Sequence, residues 1–357
     1  MQRDLILTIN PGSTSTKIGI FKGRELVIEE TLRHSANELS QFQTMFAQFD
    51  FRYQTVRSCL DQHGINDEKL LAVVGRGGML KPLPGGTYLV NDLMKKHLRE
   101  GYSGQHASNL GGLLADTIAS KAGVSAYIVD PTVVDELEPL ARYSGIPEIK
   151  RRSVQHTLNQ KMVAHQCATD LGKTYETANF VIAHLGGGIS VCAHRAGKII
   201  DSNNALDGDG PFSPERAGGL PVGDVIRLAY SGRFTETELR KHFVGKGGLV
   251  AYLGSNDGRE IEERIQKNDS VAKEAFEAMG YQVAKEIGAA AVVLNGEFDA
   301  IILTGGLAYS KFLTEFIVSK IGFLGKIILY PGEDELLALA EGALRVIHGQ
   351  EKVMEYV

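Results

Sequence analysis

The sequence predicts an α/β protein built from two copies of one unit. Three observations carry this reading. Short apolar runs of strand length alternate with longer runs whose apolar residues recur at a spacing near 3.6. Three successive strand-like runs joined by glycine-bearing turns occur near the N-terminus and again about 175 residues later. The length of 357 residues suits two domains at roughly 100–200 residues each.

Leu5–Ile9, Lys17–Phe21 and Leu26–Thr31 read as the first three strands. Gln41–Leu60 reads as a helix, with Phe42, Met45, Phe46, Phe49, Tyr53, Val56 and Leu60 along one face. Leu71–Val74 and Ala126–Val129 read as buried strands that each end in a turn. The second copy begins with Phe180–His184, Ser190–His194 and Lys198–Asp201. Asp269 or Ser270 caps a long helix carrying Val271, Ala275, Met279, Val283, Ile287 and Ala290, and Ala300–Leu303 and Ile327–Leu329 supply the later strands. The expected domains are 1–152 and 153–335, with 336–357 a helix that packs back on the first. A ligand cleft between the copies is the expected consequence.

Composition excludes several classes. Lys plus Arg total 38 against 43 Asp plus Glu, a net charge of −5 that does not favour nucleic acid. The longest apolar run, Ile287–Leu294, is far short of the roughly 20 residues of a membrane span. Leu5–Ile9 followed by Asn10-Pro11-Gly12 does not fit a signal-peptide core. Cys59, Cys167 and Cys192 form no C-x-x-C pair and read as buried thiols of a reducing compartment, so a cytoplasmic location with no membrane partner is expected. The 41 glycines against 10 prolines point to tight turns and close backbone approach rather than a flexible linker.

The common nucleotide and hydrolase signatures fail. Gly172-Lys173-Thr174 has Cys167 where a P-loop needs its first glycine, and no G-x-G-x-x-G, H-E-x-x-H or G-x-S-x-G occurs. Three turns stand out instead. Asn10-Pro-Gly-Ser-Thr-Ser-Thr-Lys17 joins two strands with small hydroxyl residues and ends in a cation, a composition suited to phosphate oxygens. A polar turn with a solvated lysine is the plainer alternative. His184-Leu-Gly-Gly-Gly188 allows a ligand to approach the main chain, or is a structural turn beside a packed histidine. Ile301-Ile-Leu-Thr-Gly-Gly306, before a helix expected near Ser310, suits an adenine stacked on backbone.

Together the three turns resemble the ATP-binding pattern of the superfamily of acetate and sugar kinases, heat-shock chaperones and actin. Within it the chain resembles the carboxylate kinases of the acetate kinase family over nearly its whole length. The specific stretches are Ile6–Lys17, Val74–Met79, Asp207–Arg216 and Leu329–Glu335. The resemblance implies duplicated ribonuclease H-like (actin-like ATPase) domains with a nucleotide cleft between them. It implies reversible phosphoryl transfer from ATP, with Mg²⁺, to a short-chain carboxylate such as butyrate, with acetate, propionate or a branched-chain fatty acid as the alternative acceptor, giving ADP and an acyl phosphate. It also implies a homo-oligomer. A sugar kinase would need a general-base aspartate and a hydroxyl-rich site, and a nucleotide-operated chaperone would need a separate peptide-binding domain for which no length remains.

Residue by residue, the resemblance places Asn10, Ser13, Ser15 and Lys17 toward metal and phosphate. It makes Asp130 the strand-end catalytic aspartate, orienting metal-bound water or the γ-phosphate rather than acting as a base, and His156 the transition-state histidine. Without the resemblance, Asp130 reads as a cap before Pro131 and His156 as a structural helix residue. His184, Gly186, Gly187 and Gly188 match the second phosphate segment, Asp257 and Arg259 a nucleoside segment, and Gly305, Gly306 and Tyr309 the adenosine turn. The metal-linked acidic residue aligns with Asp334, with Glu335 and Glu333 as alternatives, in a cluster that also reads as a helix N-terminus. Two arginines of the family pattern fall here on Val73 and Pro221. Arg76 and Arg216 are expected to restore that charge. The glycines at 12, 75–78, 186–188, 208–210 and 305–306 are expected to line the ATP cleft.

Overall fold

The computed structural model describes residues 3–206 and 208–357, so Asp207, which opens one of the family-like stretches, lies outside the described residues. The chain divides into two compact units, Met1–Val134 with Asp334–Val357, and Asp135–Glu333.

The first unit is built on six strands, β1 (Leu5–Pro11), β2 (Ser15–Lys22), β3 (Glu25–Arg33), β4 (Leu70–Arg76), β5 (Thr87–Leu89) and β6 (Ser125–Val129), in the order β3-β2-β1-β4-β6-β5. β1 to β3 form an antiparallel meander, and β1, β4 and β6 run parallel. The pleat sends Leu5, Leu7, Ile9, Val73 and Ile128 into one core, where the helix Asn109–Ala122 buries Leu110, Leu113, Leu114 and Ile118. That helix lies unusually close to β4. A Cβ on Gly75 would fall 2.1 Å from the Gly111 carbonyl oxygen, and one on Gly111 would fall 2.3 Å from the Arg76 oxygen. Gly77 and Gly78 are similarly closed off by Pro131 and Asn109. These glycines therefore answer a packing demand inside the unit. The C-terminal helix Glu335–Ile347 covers the opposite face, with Gly342 against Val129.

The second unit repeats the pattern with β7 (Asn179–Leu185), β8 (Ile189–Arg195), β9 (Lys198–Ser202), β10 (Ala300–Gly305) and β11 (Ile327–Pro331), ordered β11-β10-β7-β8-β9. The senses match: β7 to β9 are antiparallel, and β7, β10 and β11 are parallel. Alternation along β7 buries both faces. Val181 and Ala183 meet the helices Ser270–Val293 and Lys311–Ile321, while Phe180 and Ile182 meet the helix Thr157–Asp170.

Two expectations shift. The helix expected from Gln41 starts at Phe49 after a single turn at Phe46–Gln48, because the Thr44 hydroxyl accepts from Ala47 N and the chain turns there. The first crossing between units falls at Val134/Asp135 rather than near 151–153. Residues after 134 are tied to β9 and its neighbours: Glu138 N donates to Ile200 O, Arg151 pairs with Asp201 at 3.0 Å, and Glu136 forms a buried ion pair with Lys161 at 2.9 Å. All three cysteines are buried, and burial pushes Cys167 up to about 11 and Cys192 to about 12. Among the described residues no helix is long and apolar enough to cross a membrane.

Candidate functional site

In the first unit, the ends of β1, β2 and β4 and the start of the C-terminal helix enclose a cavity of about 230 Å³. Asn10, Gly12, Ser15, Lys17, Arg76 and Glu335 line it, joined by His106, Ser108 and Thr132. The register explains the first three polar groups: Asn10 faces Lys17 across the β1–β2 ladder, and Gly12 N donates to Ser15 O to close the hairpin. Glu335 sits between two partners, accepting from Asn10 Nδ2 at 2.5 Å and pairing with Arg76. Asp334 has a different task. Its carboxylate accepts from Leu337 N at 2.8 Å and caps the C-terminal helix. Ser13 is exposed at the hairpin tip.

The hairpin is braced from below by a residue the sequence reading passed over. Arg52, fully buried in the helix Phe49–Gln62, donates to Ser13 O (3.2 Å), Ser15 O (3.0 Å) and Thr16 Oγ1 (3.0 Å), and twice to Gln48 Oε1. No carboxylate is among these partners, and burial lowers the guanidinium to about 10. Asp130 follows β6 with φ +38°, a conformation rare outside glycine, and its Oδ1 accepts from Gly86 N at 2.8 Å. Its carboxylate thus holds the turn before β5.

In the second unit, His184 ends β7 on the face covered by the helix Thr157–Asp170. Its Nδ1 lies 2.8 Å from Asn159 Oδ1, and its ring stacks on His156 with centroids 3.9 Å apart and planes 11° apart. Burial, then the neighbouring His156 at a pH low enough to protonate it, then Arg216, hold His184 well below the ordinary histidine range. The Glu333 carboxylate lies 3.5 Å from His184 Nε2, a contact that burial of the ring biases toward the neutral imidazole. Gly186–Gly188 turn into β8, and Arg216 lies against Gly188: a Cβ there would meet its Nη1 at 1.9 Å. Arg216 donates to Ala205 O, and Ser213 Oγ donates to Gly187 O at 2.6 Å.

Gly305, at φ +89°, backs onto Leu185, where any Cβ would meet backbone at 2.4 Å. Gly305 and Gly332 exchange backbone hydrogen bonds, and Ser310 caps the helix Lys311–Ile321. Asp257 caps the helix Gly258–Gln266, accepting from Arg259 N at 2.8 Å. Gly258 abuts Leu307, which brings the 255–259 segment beside the 305–309 turn, where Tyr309 is exposed.

A profile of the acetokinase family matches residues 144–349. Butyrate kinase 2 of Clostridium acetobutylicum is 55% identical over 351 residues, spanning 98% of this chain and 99% of that protein. The chain belongs to the acetokinase family. Among solved structures, an acetate kinase of Porphyromonas gingivalis matches with a TM-score of 0.77 at 19% identity, over 96% of this chain and 100% of that one. A propionate kinase of Francisella tularensis matches at 0.73 and 21%, over 95% and 98%. These likenesses are of fold, the actin-like ATPase fold that the family resemblance implies and to which the duplicated α/β pattern conforms.

Within this acetokinase chain the first unit holds one group of the expected residues, and the second unit holds two groups that adjoin where Gly305 backs onto Leu185. Asn10, Ser15, Lys17, Arg76 and Glu335 share one cavity. His156, His184, the Gly186–Gly188 turn and Arg216 form a second cluster. Asp257, Arg259, Gly305, Gly306 and Tyr309 belong to a third, on two adjoining segments. His106, Ser108, Thr132 and Arg52 went unread. The polar, glycine-bearing run Ser103-Gly-Gln-His-Ala-Ser108 carried a signal for the first two. Arg52 carried none, because one cation in an amphipathic helix looks solvated.

Proposed function

We propose that this acetokinase phosphorylates butyrate, or a short or branched-chain carboxylate close to it, reversibly from ATP. The observation that carries the reading is the 55% identity with a butyrate kinase across nearly the full length of both chains. The local chemistry supports it. A carboxylate is ionised at neutral pH and needs no strong base, so the demand is for alignment and positive charge around a loose, metaphosphate-like transition state. Lys17 and Arg76 supply cations at one cavity, Arg216 supplies another beside the Gly186–Gly188 turn, and His156 supplies a ring donor. In this reading the turns at 184–188, 255–259 and 305–309 bind ATP or ADP, and Asp130 acts by holding local structure rather than as a base.

The residues fit Mg²⁺ as this chemistry uses it. Among the described residues no group of three or more His, Cys, Asp or Glu forms a cage. Mg²⁺ keeps most of its waters and is held by one or two carboxylates with substrate phosphates. In this reading Glu335, half-buried in the cavity, would hold the ion in exchange for its contacts with Asn10 and Arg76, because Asp334 accepts from Leu337 N as a helix cap. The ion would neutralise phosphate charge.

Trapping acyl phosphate with hydroxylamine across acetate, propionate, butyrate and isobutyrate tests reaction and chain length together. The expected result is hydroxamate with butyrate or isobutyrate in excess. No hydroxamate from any acid removes the kinase reading, and a strong acetate preference removes only the butyrate assignment.

A further inference from the structure

We propose that Ser190, Gln160 and His194 are positioning residues that hold His156 as a neutral imidazole with its proton on Nε2. The proposal rests on reading His156 as the donor to the transferring phosphoryl group and deepens that reading. Its basis is a buried polar chain between β8 and the helix Thr157–Asp170. Ser190 and His194 project to the same face of β8, two pleats apart, and Gln160 reaches both from one helical turn past His156. Ser190, Gln160 and His194 are each fully buried, so every proton in the chain needs an acceptor.

That requirement sets the direction of each bond. A backbone carbonyl can only accept, so the Gln160 atom 3.2 Å from Ser190 O is its NH₂. The amide oxygen then faces His194 Nε2 at 2.8 Å, and His194 must donate there. Burial keeps His194 neutral, so its Nδ1 accepts the Tyr175 hydroxyl proton at 2.8 Å. At the other end, Gln160 Nε2 donates to Ser190 Oγ at 2.8 Å, and His156 N approaches the same oxygen at 3.4 Å. The Ser190 proton is left to bond His156 Nδ1, 2.9 Å away. Nδ1 accepts, and the ring proton is on Nε2. An imidazolium would turn an Nδ1–H on a hydroxyl that already receives two donors, stranding the Ser190 proton in a buried site. His156 therefore donates a hydrogen bond without first taking a proton from solvent.

The test is two-bond ¹H–¹⁵N correlation on histidine-labelled protein, with His156 assigned from the His156→Gln variant. The expected pattern for His156 is a protonated Nε2 and an unprotonated Nδ1. Ser190→Ala should introduce the Nδ1–H tautomer and lower kcat about tenfold, the scale of one hydrogen bond, with KM changed less than about twofold. Ser190→Thr should restore both. Gln160→Met breaks the chain one bond further away and gives the same ring shift if Ser190→Ala does not fold. A doubly protonated or Nδ1–H ring in the unaltered protein overturns the proposal, as does a rate loss in Ser190→Ala with the tautomer unchanged. Absence of hydroxamate would remove the kinase reading without moving the ring resonances, so the two failures are separable.

Discussion

Substituting Gly75 by alanine tests the closest backbone approach in the first unit. The added Cβ would fall 2.1 Å from Gly111 O, 2.2 Å from Gly111 C and 2.7 Å from Gly112 N, where ordinary contact begins near 3.4 Å. All three neighbours are backbone atoms, so the helix Asn109–Ala122 must retreat from β4 by more than about 1 Å. A gap of about that size forfeits roughly a quarter to a half of the dispersion contact across it. The helix buries Leu110, Leu113, Leu114 and Ile118 against the sheet, at roughly 1.5–3 kcal/mol each. The expected loss is thus roughly 2–5 kcal/mol, confined to the first unit. Hydrogen exchange read by mass spectrometry should show it as lost protection in segments 70–76 and 109–122, with the second unit unchanged. Gly288→Ala is the control: it lies inside the helix Ser270–Val293 with nothing near its Cβ, and should gain up to about 1 kcal/mol. Unchanged protection in both segments of Gly75→Ala would refute the close-packing argument.

Three further outcomes are expected. Arg52→Met removes five hydrogen bonds and a buried cation together; stability should fall by about 1–3 kcal/mol and the KM for ATP should rise, with Arg52→Lys intermediate, whereas an unchanged KM would detach the brace from nucleotide binding. His184 and His194 are both held well below the ordinary histidine value of 6.5, so below that pH the unfolded chain takes up protons that the fold refuses. Their effect is absent above about pH 7 and grows as pH falls, to at most roughly 2.7 kcal/mol per pH unit for the two sites, and His194→Gln should flatten the thermal midpoint between about pH 6.5 and 5.5. Arg216→Ala should lower kcat at least about tenfold, and near-normal kinetics would remove Arg216 from the reaction.

The duplicated sheet was legible because each copy repeats the same order of short alternating runs, and a period of two is a local property of the chain. The cavity residues Asn10, Ser15 and Lys17 were legible too, since a hairpin places neighbours in sequence side by side in space. Which of Glu333, Asp334 and Glu335 lines the cavity was not legible, because that depends on which acid the helix cap consumes. Arg216 was visible only through a missing family arginine, and its place beside Gly188 depends on a loop returning to β8.

By itself the sequence determined the fold class, the doubling of the unit and the turns rich in glycine and hydroxyl groups. Only the tertiary structure decided what the glycines and buried cations do. Gly75 is small because Gly111 lies on it, and Arg52 is buried because three groups of the hairpin need its donors. Those demands come from residues tens of positions away, and no local pattern in the chain encodes them.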